Sequence, residues 1–307
     1  MATIDSYTKA APPTEPLPEG GDVGAVQSGW KLGVREFLTN KLATAGLIVL
    51  VLLVLFTFIG PLFYHSDQLN SNLLNTDQGP GTGFPLGTDG NGFDVLGRLM
   101  KGGQTSLEIG FFAALIATVI GTLYGAIAGL AGGIVDAVMM RIIDVLLSIP
   151  FLFIILIVSV RYSSNVTSLS IVLGVFSWLI PARLVRGEVL TLRVRDFVSA
   201  ARVMGANRSR LVVRHLVPNA LGTVIVNITF QVADAILALS ALGFLGFGVQ
   251  YPGTDWGDQL FDGAGNLNNG YWWLIYPVGV LLIVTVMACN LIGDALRDAL
   301  DVRLRRR

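Results

Sequence analysis

Residues 196–219, DFVSAARVMGANRSRLVVRHLVPN, form a basic, helix-forming segment set between long apolar runs. The segment carries Arg202, Arg208, Arg210 and Arg214, and Arg195 immediately precedes it. An Arg at the bilayer centre costs roughly 2.5–3.5 kcal/mol on the insertion scale. Several together cannot be lipid-embedded, so the segment lies outside the hydrocarbon. Yet Phe197, Ala200, Ala201, Met204, Leu211 and Val212 recur near helical spacing. Gly205 interrupts the pattern once and Pro218 ends it. That predicts a short helix, a turn, and a second helix leading back into the membrane. A folded helical loop of this kind calls for a partner. The plainer alternative is a basic loop that only sets topology.

The flanking composition defines the class. Of 307 residues, 53% are hydrophobic and 14% charged, and the mean hydropathy is +0.66, which excludes an ordinary soluble domain and disorder. The apolar residues fall into runs of membrane-spanning length, so an all-α, polytopic membrane protein is expected. Six spans are predicted, at about 43–63, 107–131, 138–160, 168–184, 221–247 and 273–296. The fourth is short and interrupted by Pro181. The expected organisation is a disordered tail over 1–27, then an amphipathic helix and the first span over 28–66. An outer loop over 67–106 follows. A five-helix core over 107–296 contains the loop 186–219, and 297–307 forms a basic tail. No basic region followed by a short apolar stretch opens the chain, so no cleaved secretory signal is expected.

Charge distribution sets the expected orientation. With the N-terminus cytoplasmic, 18 of the 21 Lys and Arg residues fall on that side, and only Arg98, Lys101 and Arg161 lie outside. The positive-inside bias therefore places both termini in the cytoplasm of a cell membrane. No catalytic residue, nucleic-acid-binding pattern or phosphate-binding loop is found, so the chain is not expected to be an enzyme or to bind ATP itself. The single Cys289 and the distant pair His65 and His215 suggest no disulfide framework and no metal site.

A few groups in or near the spans carry chemistry. Asp136, Arg141 and Asp144 are read as a neutral structural cluster at the cytoplasmic end, with Arg141 and Asp144 three apart and able to pair. Asp294 lies near the end of the last span. Asp234 lies midway along the fifth span with no cation nearby in sequence. It is the pathway candidate, with a hydrogen-bonded helix-packing Asp as the plain alternative. Ala113, Ala117, Gly121, Gly125 and Gly129 form a small-residue stripe on the second span, suited to packing inside the subunit or between subunits. Tyr251 and Trp256 suit an aromatic belt at the outer interface.

The central segment resembles the coupling motif of ABC importer permeases. Ser199-Ala200-Ala201 stands where that family has Glu-Ala-Ala, Gly205 is its Gly, and His215 to Asn219 is its end. Three further blocks resemble the dipeptide, oligopeptide and nickel importers within the family, and the shorter-looped "C"-type permease in particular. They are Phe84 to Asp89 with Asp94-Val95-Leu96, then Gly132-Gly133 with Asp136, Arg141, Asp144 and Ser148-Ile149-Pro150, and Phe244 to Gly248 with Trp256-Gly257. Leu239 and Gly243 stand where the family often has Glu and Ser.

The resemblance implies a type I importer permease fold and a place in an ATP-driven, binding-protein-dependent importer of di- or oligopeptides. The implied partners are a second permease, two cytoplasmic ATPase subunits holding ATP and Mg, and an external substrate-binding protein. It further implies that Ser199, Ala200, Ala201, Arg202, Gly205, Arg208, Arg210, His215 and Pro218 couple to an ATPase. Two alternatives remain at this point. One is a self-contained secondary transporter or channel using Asp234. The other is an importer for nickel or another small solute.

Overall fold

A computed structural model of the chain describes residues 37–68, 70–81, 83–161 and 165–305, without the side chains of 208, 209 and 301–305. The tail over 1–27 and most of the amphipathic segment after it lie outside the described residues. The described chain is all-α. Four helical stretches are long and apolar enough to cross a membrane, and six are if each of two bent pairs counts as one span.

The first span is α1 (Lys41–Val54), continued by a π-helical turn (Leu55–Ile59) and a last turn (Gly60–Phe63). Asn40 caps it, its side chain accepting from the N–H groups of Leu42 and Ala43. The second is α2 (Val95–Ala131), which begins twelve residues before the expected span because Asp94 caps it at Gly97. A sharp corner at Gly132 and Gly133, both at positive φ, leads into α3 (Gly133–Leu147).

Prolines decide where the other spans bend. The expected third span is broken by 77° between α3 and α4 (Phe151–Arg161), at Ser148-Ile149-Pro150. Pro150 disfavours helix at the residue before it and has no N–H to continue the ladder. The fourth span consists of α5 (Val166–Ser177) and α6 (Leu179–Leu192), bent by 44°. It runs eight residues past the expected end. The break falls at Trp178, upstream of Pro181, because a proline disturbs the turn on its N-terminal side. Pro181 offers no N–H to the Ser177 carbonyl, and Gln231 donates its side-chain N–H there instead, at 2.8 Å. The same arrangement occurs towards the end of the first span. Pro61 leaves the Thr57 carbonyl free, and Gln104 of α2 donates to it at 2.8 Å. In hydrocarbon an unsatisfied carbonyl is costly, so each amide side chain both repairs a helix and joins it to a neighbour.

Beyond α6 come α7 (Asp196–Val203) and the short α8 (Arg208–Leu211). A π-helical turn (Val212–Leu216) then feeds the fifth span, α9 (Val217–Phe244). α10 (Trp256–Gly265) lies between spans, and α11 (Tyr276–Arg305) is the last span, extending into the expected basic tail.

α2 is the hub, packed along α5, α6 and α9, while α11 joins α9 to the peripheral α1. Its small-residue stripe faces inward within this subunit. A Cβ added at Gly125 would meet the Ala182 carbonyl and Arg186 N–H of α6, and one at Gly129 would meet Val189. Lipid tails are as apolar as Leu, so helix association here rests on close backbone approach, and the stripe provides it.

Candidate functional site

The α7–α8 hairpin is a packed structure seated on the ends of three spans. Val198 and Ala201 of α7 and Leu211 and Val212 after it are buried. They pack against Ala126 of α2, Val185, Val189 and Leu192 of α6, Leu216 of the π-helical turn and Ala220 of α9. The apolar periodicity of the segment therefore divides between two faces. Ala201, Leu211 and Val212 point into the protein. Phe197, Ala200 and Met204 point out, joined by Val194 and Val203. Val203 is 89% and Met204 80% exposed, so this helix presents an uncovered apolar face.

Gly205 makes the hairpin. It sits at φ +83°, donates to the Arg202 carbonyl at 3.0 Å, and is followed by Ala206, which donates to the Ala201 carbonyl at 3.0 Å. That pair of bonds is a Schellman motif, which requires a left-handed residue at the glycine position. Asn207 then starts α8, its side chain accepting from the Arg210 N–H at 2.8 Å.

The other motif residues are distributed around this frame. Ser199, Arg202 and Arg210 are exposed. The Arg208 side chain lies outside the described residues. His215 is half-buried in the π-helical turn, its carbonyl accepting from the Asn219 side chain at 2.6 Å, and Pro218 is exposed in the first turn of α9.

Arginines of α6 and the loop after it tie the root of the hairpin to the glycine corner. Arg186 grips Asp136 of α3 through two bonds, Nε to Oδ1 at 3.0 Å and Nη2 to Oδ2 at 2.5 Å. Arg193 donates to the Gly129 carbonyl at the end of α2, at 3.0 Å. Arg183 pairs with Asp144. The two aspartates of the expected cluster thus find their cations fifty and thirty-nine residues away. Arg141 makes no ion pair among the described residues and is exposed. The reason is rotational. Asp136 is buried towards α6, whereas Arg141 points away from the packed side of α3. Nothing local in the sequence shows which face of α3 meets α6.

Asp234 lies on a face of α9 that this chain leaves open. It makes no ion pair or hydrogen bond among the described residues, and Leu237, one turn on, is exposed beside it. Asp294 is exposed on α11.

At the opposite end of the bundle, the first and third resemblance blocks meet in a cap. Asp89 pairs with Arg98 at 3.5 Å, and the Arg98 guanidinium lies 4.5 Å from the Phe93 ring centre. The Trp273 indole donates to the Thr88 carbonyl at 3.2 Å. Trp256 belongs to this core and not to an interfacial belt. It is fully buried, its indole donates to the Leu99 carbonyl at 3.2 Å, and its backbone N–H donates to Ser106. A belt residue keeps its polar edge in the headgroups, whereas this one is consumed by α2.

Asp255 caps α10 and accepts from the N–H groups of Val249, Gly257 and Asp258. Burial pushes the Asp255 carboxyl up to about 6, against the pull of those bonds. Asp262 is also pushed up to about 6, by burial and then by Asp258 and Asp89. Burial raises Asp258 too, and Arg98 opposes the rise.

A multi-pass helical bundle with an inward-anchored, outward-apolar hairpin between two spans defines a type I ABC importer permease. A family model described as "Binding-protein-dependent transport system inner membrane component" matches residues 121–306, and another, "N-terminal TM domain of oligopeptide transport permease C", matches 28–80. The chain belongs to this family of importer permeases, as an OppC-type subunit of a multi-subunit transport system and not an enzyme.

Among its relatives, the oligopeptide transport system permease protein OppC of Escherichia coli K12 is 43% identical over 281 residues, covering 91% of this chain and 93% of the relative. That of Bacillus subtilis is 39% identical, covering 90% of each. The dipeptide transport system permease protein DppC of Bacillus subtilis is 38% identical, covering 91% of this chain and 86% of the relative.

Proposed function

We propose that this chain is the permease subunit of an importer of di- and oligopeptides, forming the translocation path with a second, distinct permease. The hairpin end faces the cytoplasm, as the excess of Lys and Arg there requires. Two cytoplasmic ATPase subunits bind ATP and Mg, and a substrate-binding protein delivers peptide at the cap end. The support for the solute is that oligopeptide and dipeptide permeases align over about nine-tenths of the chain.

One observation carries the coupling. The outward face of α7, from Phe197 through Ala200 to Val203 and Met204, is apolar and uncovered while its inward face is locked to three spans. A helix of that kind seats in a groove of a partner, with Arg202 and Arg210 at the rim steering an acidic surface. Ser199, Ala200 and Arg202 would touch the ATPase. Ala201, Gly205, His215 and Pro218 would hold the shape. Closure of the ATPase pair around nucleotide moves α7. Because Val198 and Ala201 pack on α2, α6 and α9, those helices move with it, which biases the bundle between two arrangements. Asp234, on the uncovered face of α9, then lines the path between the two permeases. Asp136 and Asp144 with their arginines hold the coupling end rigid.

The test is purification of the tagged chain from mild detergent, followed by reconstitution with fluorescent di- and tripeptides. An ATPase pair and a second permease should co-purify, and uptake should need ATP and binding protein. Purification of the chain alone, with uptake that needs no ATP, would instead make Asp234 the centre of a secondary transporter.

A further inference from the structure

Three spans turn a common side away from the hub helix α2. On α6, Ala182 faces α2 at Gly125, and Ile180 and Leu184, each about 200° round the helix from it, are exposed. On α9, Val232 and Ile236 meet α2 at Gly110, and Asp234, about 200° from both, is exposed. On α3, Ile143 is fully buried against Leu179 and Ala182, and Arg141, about 200° from it, is exposed. The exposed Asp144–Arg183 pair bridges α3 and α6 on this same side.

Arg141 and Asp234 make no ion pair or hydrogen bond among the described residues. Arg183 is neutralised by Asp144, and Glu188 lies towards α9, half-buried and beyond ion-pair distance of Arg141. A lone Arg or Asp facing acyl chains is costly, so this side faces water or protein and not lipid. The two charges stand at different levels. Arg183 lies two residues from Val185, which shares an apolar cluster with Ala220 of α9. Arg141 lies one turn from Asp144 on its hairpin side, so it is close to the level of Ala220. Asp234 follows Ala220 by fourteen residues along α9, roughly 20 Å nearer the cap end.

We propose, on the reading of this chain as a peptide-importer permease, that Arg141 and Asp234 orient the passing peptide so that its carboxyl end leads. The peptide's ammonium is held at Asp234, nearer the cap, while its carboxylate runs ahead to Arg141 at the hairpin end. The reverse orientation brings ammonium to Arg141 and carboxylate to Asp234, two like-charge contacts. An extended chain covers about 3.3–3.6 Å per residue, so a peptide of about six residues reaches both groups at once. Shorter peptides meet Asp234 first and Arg141 afterwards.

The test is photolabelling of the intact transport complex in liposomes, with binding protein, ATP and vanadate. The probe is a hexapeptide of uncharged side chains with diazirine-leucine at its second or its fifth position, which leaves both termini free. Mass spectrometry then maps the labelled residues. The fifth-position probe should label α3 around Arg141 at least about tenfold over α9 around Asp234, the factor for one hydrogen bond to a charged group. The second-position probe should show the opposite preference. Arg141→Gln should erase the order, and Arg141→Lys, which keeps the charge, should retain it.

A reversed order, the same pattern from both probes, or no label on α3 and α9 would each overturn the proposal. An order unchanged in Arg141→Gln would overturn it too, and would mean that Arg141 serves the second permease and not the peptide. Failure of the importer reading is a separate result, seen in the unaltered complex as peptide uptake that needs no ATP.

Discussion

Two adjacent alanines offer the sharpest test of the hairpin. Ala200 is exposed and Ala201 is 2% exposed, although the helix separates them by only 100°. Ala201→Glu forces a carboxylate into the apolar cluster of Val185, Val189 and Leu216. The penalty for one unpaired buried ion is several kcal/mol, a large part of a domain's total margin of about 5–15 kcal/mol. Ala200→Glu costs only the small difference in helix propensity, below about 0.7 kcal/mol.

At the ATPase the order reverses. A carboxylate on the docking face costs about 3 kcal/mol or more, roughly a hundredfold in affinity. The assay pairs thermal unfolding in detergent with the amount of ATPase that co-purifies. The Ala200→Glu form should melt like the parent and lose the ATPase. The Ala201→Glu form should lose thermal stability. If Ala201→Glu melts normally, the inward face of α7 has been misassigned. If Ala200→Glu keeps its ATPase, α7 does not dock by this face.

Gly205→Ala meets no neighbour, so its cost is the left-handed φ alone, about 1–2 kcal/mol; faster hydrogen exchange over residues 196–206 should report it, and unchanged exchange would show that the turn is not needed. Gln231→Leu leaves the Ser177 carbonyl bare at the α5–α6 bend, and the bundle should lose about 1–3 kcal/mol by denaturant unfolding. A double-mutant cycle on Arg186→Gln and Asp136→Asn should give a coupling of about 1–2 kcal/mol, with a value near zero removing the brace at the glycine corner.

The cap end should also respond to pH. In the folded protein the Asp255 and Asp262 carboxyls are pushed up to about 6, above the ordinary value of 3.8. With the folded value raised, their contribution is complete below about pH 4 and declines as pH rises through 6. Hydrogen exchange in residues 254–265 should therefore be slower at pH 5 than at pH 7.5 after correction for intrinsic rate. Asp262→Asn should shrink that difference, and an equal difference in the variant would exclude Asp262 as its source.

The sequence by itself determined the class of this protein, because hydrocarbon and charge act on residues wherever they sit. Long apolar runs, the asymmetry of Lys and Arg, and a basic helical segment that cannot enter lipid were enough to expect an all-α bundle with a folded loop. Gly205 marked the turn of that loop because left-handed backbone is a property of a single residue, whereas the helix runs on through Pro218, whose missing N–H falls in a first turn.

Pairings and faces were decided only in three dimensions. Arg186 is fifty residues from Asp136, and Gln231 is fifty-four from the carbonyl it satisfies. The rotation that buries Ala201 and exposes Ala200 is set by the surfaces of α2, α6 and α9 packed beneath the hairpin. Trp256 became a core residue for the same reason, since Leu99 and Ser106 of α2 offered its two N–H groups partners that a headgroup layer would otherwise supply. Helical periodicity specifies that a helix has faces, and only the neighbouring helices specify which face is covered.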